Sequence, residues 1–191
     1  KHKIDEISDI FSGIKNIKIL SINDGIEIPE VIEDGETFEE NSKKKAVEIA
    51  KFLNMITIAD DSGLCVDALN GEPGVLSARY AGEHGDSDSN RKKLLKNLEG
   101  KTDRSAYFKT VIVFVDENGK EFIAKGILKG TISEDERGEN GFGYDKIFIP
   151  ENMEKTLAEI SAEEKNKFSH RKRALEDLKN ILGDRYDSSS C

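Results

Sequence analysis

Apolar positions along the chain fall into short segments with different periods. Residues 3–11 place them at 4, 7, 10 and 11, the spacing of one helical face. Residues 17–22 read as a short strand with loose alternation. Residues 37–53 form the clearest helix: Thr37 and Glu40 make a capping box, and Phe38, Ala46, Ile49, Ala50 and Leu53 share one stripe. A short buried strand is expected at 56–59. Strand–helix–strand order of this kind favours a parallel crossover and an α/β fold. From Ser105 the pattern turns β-rich. Segments 106–115 and 121–132 flank Asp-Glu-Asn-Gly at 116–119, a hairpin signal. Residues 146–149 predict another strand, closed by Pro150. Ser161 and Glu164 open a helical region lined by Phe168, Leu175, Leu178, Ile181 and Leu182. Ser169 is a second candidate N-cap, which leaves open one helix or two with a break. Residues 184–191 are polar and expected to fray.

No repeat and no Pro/Gly/Ser linker divides the 191 residues. The expectation is therefore one α/β domain, with the long hairpin and the preceding β-α-β layer forming two lobes around a cleft. At 36% hydrophobic and 35% charged the composition is polar, but its apolar residues are periodic, which argues against disorder. No apolar run nears the roughly 20 residues that span a bilayer, and no signal-peptide pattern is present. Cys65 and Cys191 do not suggest a disulfide framework, and a reduced Cys65 packed as a small hydrophobe is expected in a cytoplasmic protein. A formal net charge of -9 argues against non-specific duplex binding but leaves room for a small anionic ligand beside local basic clusters. Lys43, Lys44 and Lys45 form one cluster, and 165–173 another; such runs are most often solvated faces.

Two adjacent carboxylates follow the expected strand at 56–59. Successive strand side chains point to opposite faces, so Asp60 and Asp61 are not expected to share one proton or one ligand. One is expected to face a cleft and the other to tie down a turn through backbone N–H groups, unless both are turn residues. A cleft carboxylate with no Cys/His or Ser/His arrangement nearby suits Mg²⁺, which prefers oxygen ligands and phosphates. Glu33-Asp34-Gly35-Glu36 supplies a second acidic group before the helix, and Lys45 lies two turns beyond its cap. Asn-Gly-Phe-Gly-Tyr-Asp at 140–145 combines two glycines for close backbone approach, stacking surfaces at Phe142 and Tyr144, and an acceptor at Asp145. It lacks the residues of a Walker A loop and the following helix of a dinucleotide fingerprint. Lys165, Ser169, His170 and Arg171 fall within two turns. Lysine and arginine only donate, so they can read a base carbonyl and reject an exocyclic amine.

Four segments in order, DGETFEENSKKKA, IADDSGLCVDALNGEPGVLSARYAG, GFGYDKIF and EEKNKFSHRKRAL, resemble the inosine/xanthosine triphosphate pyrophosphatase family. The similarity runs from about residue 3 to about residue 182. It implies an elongated α/β fold with a central mixed sheet, flanking helices and two lobes around a substrate cleft, usually as a homodimer. It further implies Mg²⁺-dependent hydrolysis of ITP, dITP and XTP to the monophosphate and pyrophosphate. Asp61 matches the family's proton acceptor and metal ligand, which leaves Asp60 to hold the turn that puts Ser62 beside the substrate, and Glu33 matches a second metal-side carboxylate. Ser62 matches a substrate contact and Lys45 a phosphate-side lysine. Phe142, Gly143, Tyr144 and Asp145 match the base-binding turn, completed by Lys165, His170 and Arg171. The family opens with a strand and a Thr/Ser-x-Asn-x-x-Lys phosphate loop, of which this sequence carries the last lysine, Lys3. A pyrophosphatase for other modified nucleotides and a non-catalytic nucleotide-binding module are the alternatives.

Overall fold

The structure, a computed structural model, describes residues 7, 19–21 and 24–183. The expected helix at 3–11 (apart from Ile7), Lys3 and the polar tail lie outside the described residues. Of the expected strand at 17–22, residues 19–21 are described and belong to no ladder. The elements are α1 (Phe38–Leu53), β1 (Thr57–Val66), α2 (Ser87–Asn97), β2 (Ser105–Val115), β3 (Glu121–Ile132), β4 (Phe148–Pro150), α3 (Ala162–Asn166) and α4 (His170–Leu182).

The strands form one sheet in the order β1-β2-β3-β4, with every described pairing antiparallel. The parallel crossover expected around α1 has no counterpart among the described residues, because its first strand falls at 17–22. The β2–β3 hairpin closes on Asp116, whose Oδ1 accepts from the N–H groups of Asn118 and Lys120. At about 3.4 Å per residue its arms run some 35–40 Å, which sets the long axis of the sheet.

β1 differs from expectation. It does not stop before the two aspartates but runs ten residues through them, with Asp60 opposite Ile112, Asp61 opposite Val111 and Ser62 opposite Thr110. Aspartate has poor strand propensity, and here the ladder with the apolar run of β2 outweighs it. Asp60 therefore does not hold a turn. β4 also shifts, from the expected 146–149 to Phe148–Pro150, because the Asp145 and Ile147 N–H groups donate within a turn, to the Phe142 and Tyr144 carbonyls.

Alternation sends β1 side chains to two differently covered faces. α1 covers one, where Phe38 packs with Cys65 and Val111, and Ala46 with Val113 and Val115. Its capping box is as expected, with Thr37 Oγ1 accepting from Glu40 N–H at 3.1 Å and Glu40 returning the bond. Cys65 is buried and free, and burial pushes its thiol pKa up. α4 covers half of the other face, packing Ala174, Leu175 and Leu178 on Ile112, Phe114 and Ala124. Gly126 of β3 lets it sit this low: a Cβ there would lie 2.0 Å from the His170 carbonyl and 2.3 Å from Ala174 N. The remainder of that face is covered by a separate core that joins Leu64, Phe108 and Leu128 to Leu94, Tyr144, Ile147 and Phe148. The gap between α4 and this second core is the cleft.

α3 and α4 are two helices, since Ser161 caps the first and Ser169 the second. α2 has no counterpart in the apolar pattern. Its buried residues are Asn90, Arg91 and Leu94, two of them polar, so no stripe marks it.

Candidate active site

The two aspartates of β1 serve opposite faces. On the α1 side, Asp61 Oδ2 accepts from Asn41 Nδ2 at 3.3 Å and Asp61 Oδ1 from the Ser62 N–H at 3.0 Å. On the α4 side, Asp60 Oδ2 lies 3.5 Å from Arg171 Nε.

Around Asp61 the α1 helix turns inward an unusual pair of polar residues. Ser42 Oγ donates to the Ala59 and Val111 carbonyls at 2.9 and 3.1 Å, pinning α1 to both strands. Asn41 also accepts the Gly35 N–H at 2.8 Å, which ties the acidic loop to the helix. Lys45 Nζ stands 3.1 Å from Glu33, and Arg79 donates to the Glu33 carbonyl at 3.4 Å. Burial raises the Asp61 pKa; Lys45 and Asn41 oppose the rise, and the nearby charge of Glu33 adds to it. Among the described residues no group of three or more His, Cys, Asp or Glu gathers to hold a metal. Two carboxylates still suit Mg²⁺, which keeps several waters and takes its other ligands from substrate phosphates. Lys43 and Lys44 instead pair at the surface with Glu121 and Asp34.

On the other face a cavity of about 240 Å³ opens between α4 and the second core. Ser62, Phe142, Gly143, Tyr144, Asp145, Lys165, His170 and Arg171 all line it, so residues more than 100 apart in sequence meet there. The 140–145 turn is built around Asp145, whose Oδ2 accepts the Phe142 N–H at 2.9 Å and Lys165 Nζ at 2.5 Å. Gly141 has φ +77°, and a Cβ on it would strike that same carboxylate oxygen. This leaves Phe142 72% exposed, with Lys165 Nζ 4.5 Å from its ring centre. Tyr144 points the other way. It is buried, donates its hydroxyl to the Ser77 carbonyl at 2.9 Å and has a pKa raised by burial, so it supports the wall and offers no open stacking face. His170 stacks on Phe108, with centroids 5.0 Å apart and planes 13° from parallel.

Several residues of the site carry no local signature. Arg91 donates to Glu136 at 2.9 Å, to the Gly143 carbonyl at 2.8 Å and to Asp88, and thereby holds the 140–145 turn against α2. Asn90 buttresses the same wall by accepting from Ala81 N–H at 2.6 Å. Asn41, Phe108 and Thr110 complete the set. The one sequence hint is a polar residue, Asn41, at an inward position of the predicted helix 37–53.

The chain is similar to known proteins over nearly its whole length. A protein-family model described as the Ham1 family matches residues 1–181. The chain is 50% identical over 190 residues to a dITP/XTP pyrophosphatase of Clostridium perfringens, covering 95% of this chain and 92% of that protein. It is also 50% identical to the dITP/XTP pyrophosphatase of Thermoanaerobacter pseudethanolicus, covering 95% and 91%. Among solved structures, the Staphylococcus aureus Ham1 protein superposes with a TM-score of 0.88 at 43% identity, covering 95% of this chain and 93% of that one.

Proposed function

Because the chain belongs to the Ham1 family, we propose that it hydrolyses non-standard purine nucleoside triphosphates, ITP, dITP and XTP, to the monophosphate and pyrophosphate. The observation that carries this is the placement of Asp61 and Ser62. One residue faces the Glu33–Lys45 cluster, the next lines the cavity, and the two are joined by the Ser62 N–H. A triphosphate lying across β1 meets phosphate-side groups on one face and base-side groups on the other.

Phe142 provides the platform for the purine, since an exposed ring fixed over a rigid turn stacks on any base face. Arg171, His170 and Lys165 bring hydrogen-bond donors to the cavity. A keto oxygen at C6 satisfies such donors, whereas the amine of adenine leaves them buried and unpaired. Lys45, and Lys3 from outside the described residues, bind phosphate as point charges. Asp61, made more basic by burial, accepts a proton from the water that attacks the α-phosphorus. Glu33 and Asp61 would hold Mg²⁺, whose chemistry when bound is to neutralise phosphate oxygens and lower the pKa of water. A homodimer and a cytoplasmic setting belong to this proposal on the strength of the family resemblance; no helix of the described residues is long and apolar enough to cross a membrane.

The test is pyrophosphate release from ITP, dITP, XTP, ATP and dUTP, with Mg²⁺ and with a chelator. Mg²⁺-dependent release from the keto purines, at least about tenfold faster than from ATP, is expected. Tight ITP binding without turnover would identify a binding module, and preference for dUTP a different specificity.

A further inference from the structure

We infer that Thr110 sets the tautomer of His170, and so makes that ring a hydrogen-bond donor toward the bound base. The inference deepens the proposal that the cavity holds a purine and rests on it. Thr110 lies at the centre of the sheet, opposite Ser62 on β1 and Gly126 on β3. Those two neighbours are small, and α4 drops its first turn onto this row. Thr110 is fully buried, and its Oγ1 lies 2.5 Å from His170 Nδ1. That is the one hydrogen bond of the Thr110 side chain among the described residues.

A threonine hydroxyl carries one proton and two lone pairs, and a neutral imidazole one donor and one acceptor. Two arrangements are possible. If Nδ1–H donated to Oγ1, the hydroxyl proton would be buried without an acceptor, at the full cost of its desolvation. If Oγ1–H donates to Nδ1, every group in the contact is satisfied. The second arrangement wins, and the ring proton then resides on Nε2. Phe108 stacked on the ring restrains its rotation, so exchange of the two nitrogens is also opposed. His170 thus joins Lys165 and Arg171 as a donor at the cavity wall. With the other tautomer, His170 would present an acceptor and welcome the exocyclic amine of adenine. Thr110 acts here as a positioning residue, two layers from the substrate.

The test labels the histidine rings with ¹⁵N in the full chain and reads their shifts above the histidine pKa. The chain has three histidines, and His170→Gln identifies the signals of interest. The wild type should show protonated Nε2 and an unprotonated, hydrogen-bonded Nδ1. Thr110→Val, close in shape, should lose that hydrogen-bonded Nδ1 signature and reduce the ratio of kcat/KM for ITP over ATP by about tenfold; Thr110→Ser should restore both. A wild-type ring protonated on Nδ1, or a Val variant with unchanged ring shifts, would overturn the inference. Altered ring shifts with an unchanged ITP/ATP ratio would overturn the specificity role while leaving the tautomer assignment standing. The base-pocket proposal is checked separately: ITP kinetics unaffected in His170→Gln would remove His170 from the site altogether.

Discussion

Asp60 and Asp61 are adjacent in the chain and face away from each other across the sheet, Asp61 toward Asn41 of α1 and Asp60 toward Arg171 of α4. One dipeptide therefore reaches both halves of the site. In the proposed function the carboxylate beside Asn41 is the one that does chemistry, while the other lies beside the guanidinium of Arg171, a residue that lines the cavity.

Asp61→Asn should reduce turnover by at least about 10²-fold, as expected for loss of a general base. It should also raise the melting temperature of the ligand-free chain. Burial holds the folded pKa of Asp61 above its unfolded value, so the native carboxylate costs stability at neutral pH. That cost is absent below the ordinary carboxylate range and grows as pH rises through the folded value. Thermal denaturation of both proteins between pH 3 and 8 checks this. A gain that is largest in acid contradicts the assigned cause.

Phe142→Ala should leave stability almost unchanged, because the ring is exposed. If the ring stacks on the base, KM for ITP should rise roughly 5- to 150-fold, the equivalent of about 1–3 kcal/mol per stacked base. Parallel melting curves and steady-state kinetics separate a platform from a packing residue; unchanged KM would remove Phe142 from the base site.

Lys165→Met strips the cation from a carboxylate that is nearly inaccessible. The Lys165 and Asp145 side chains are 14% and 4% exposed. Breaking such a pair from one side costs about 3–5 kcal/mol. Chemical denaturation should show the loss, and Lys165→Met combined with Asp145→Asn should recover part of it. A single variant as stable as the wild type would mean that the pair does not hold the turn.

Gly126→Ala places a methyl group against the backbone of α4. Neither partner is a flexible side-chain end, so the helix itself must shift. A destabilisation of about 1–3 kcal/mol is expected, together with weaker discrimination between ITP and ATP as His170 and Arg171 move. Urea melts and the two kcat/KM values test it; unaltered discrimination would show that the seat of α4 does not set the base wall.

Local pattern was a good guide where one physical signal dominates. The Thr37–Glu40 capping box bounds α1, strand patterning on either side of Asp-Glu-Asn-Gly bounds the β2–β3 hairpin to within a residue, and Ser169 starts α4. The candidate site residues were legible through four ordered motifs, and the cavity gathers eight of them.

What the sequence determined alone was therefore the type of the strongly patterned elements, alternation across the Asp60–Asp61 pair, and the chemical character of each motif, all of which depend on neighbours within a few residues. The tertiary structure decided the rest. β1 runs through its aspartates because a ladder with β2 satisfies their backbone groups, and no local propensity encodes a distant partner. The buried polar contacts of Asn41, Arg91 and Thr110 likewise have partners 20, 52 and 60 positions away. Such residues acquire their meaning only when the chain has folded and each donor must find an acceptor out of water.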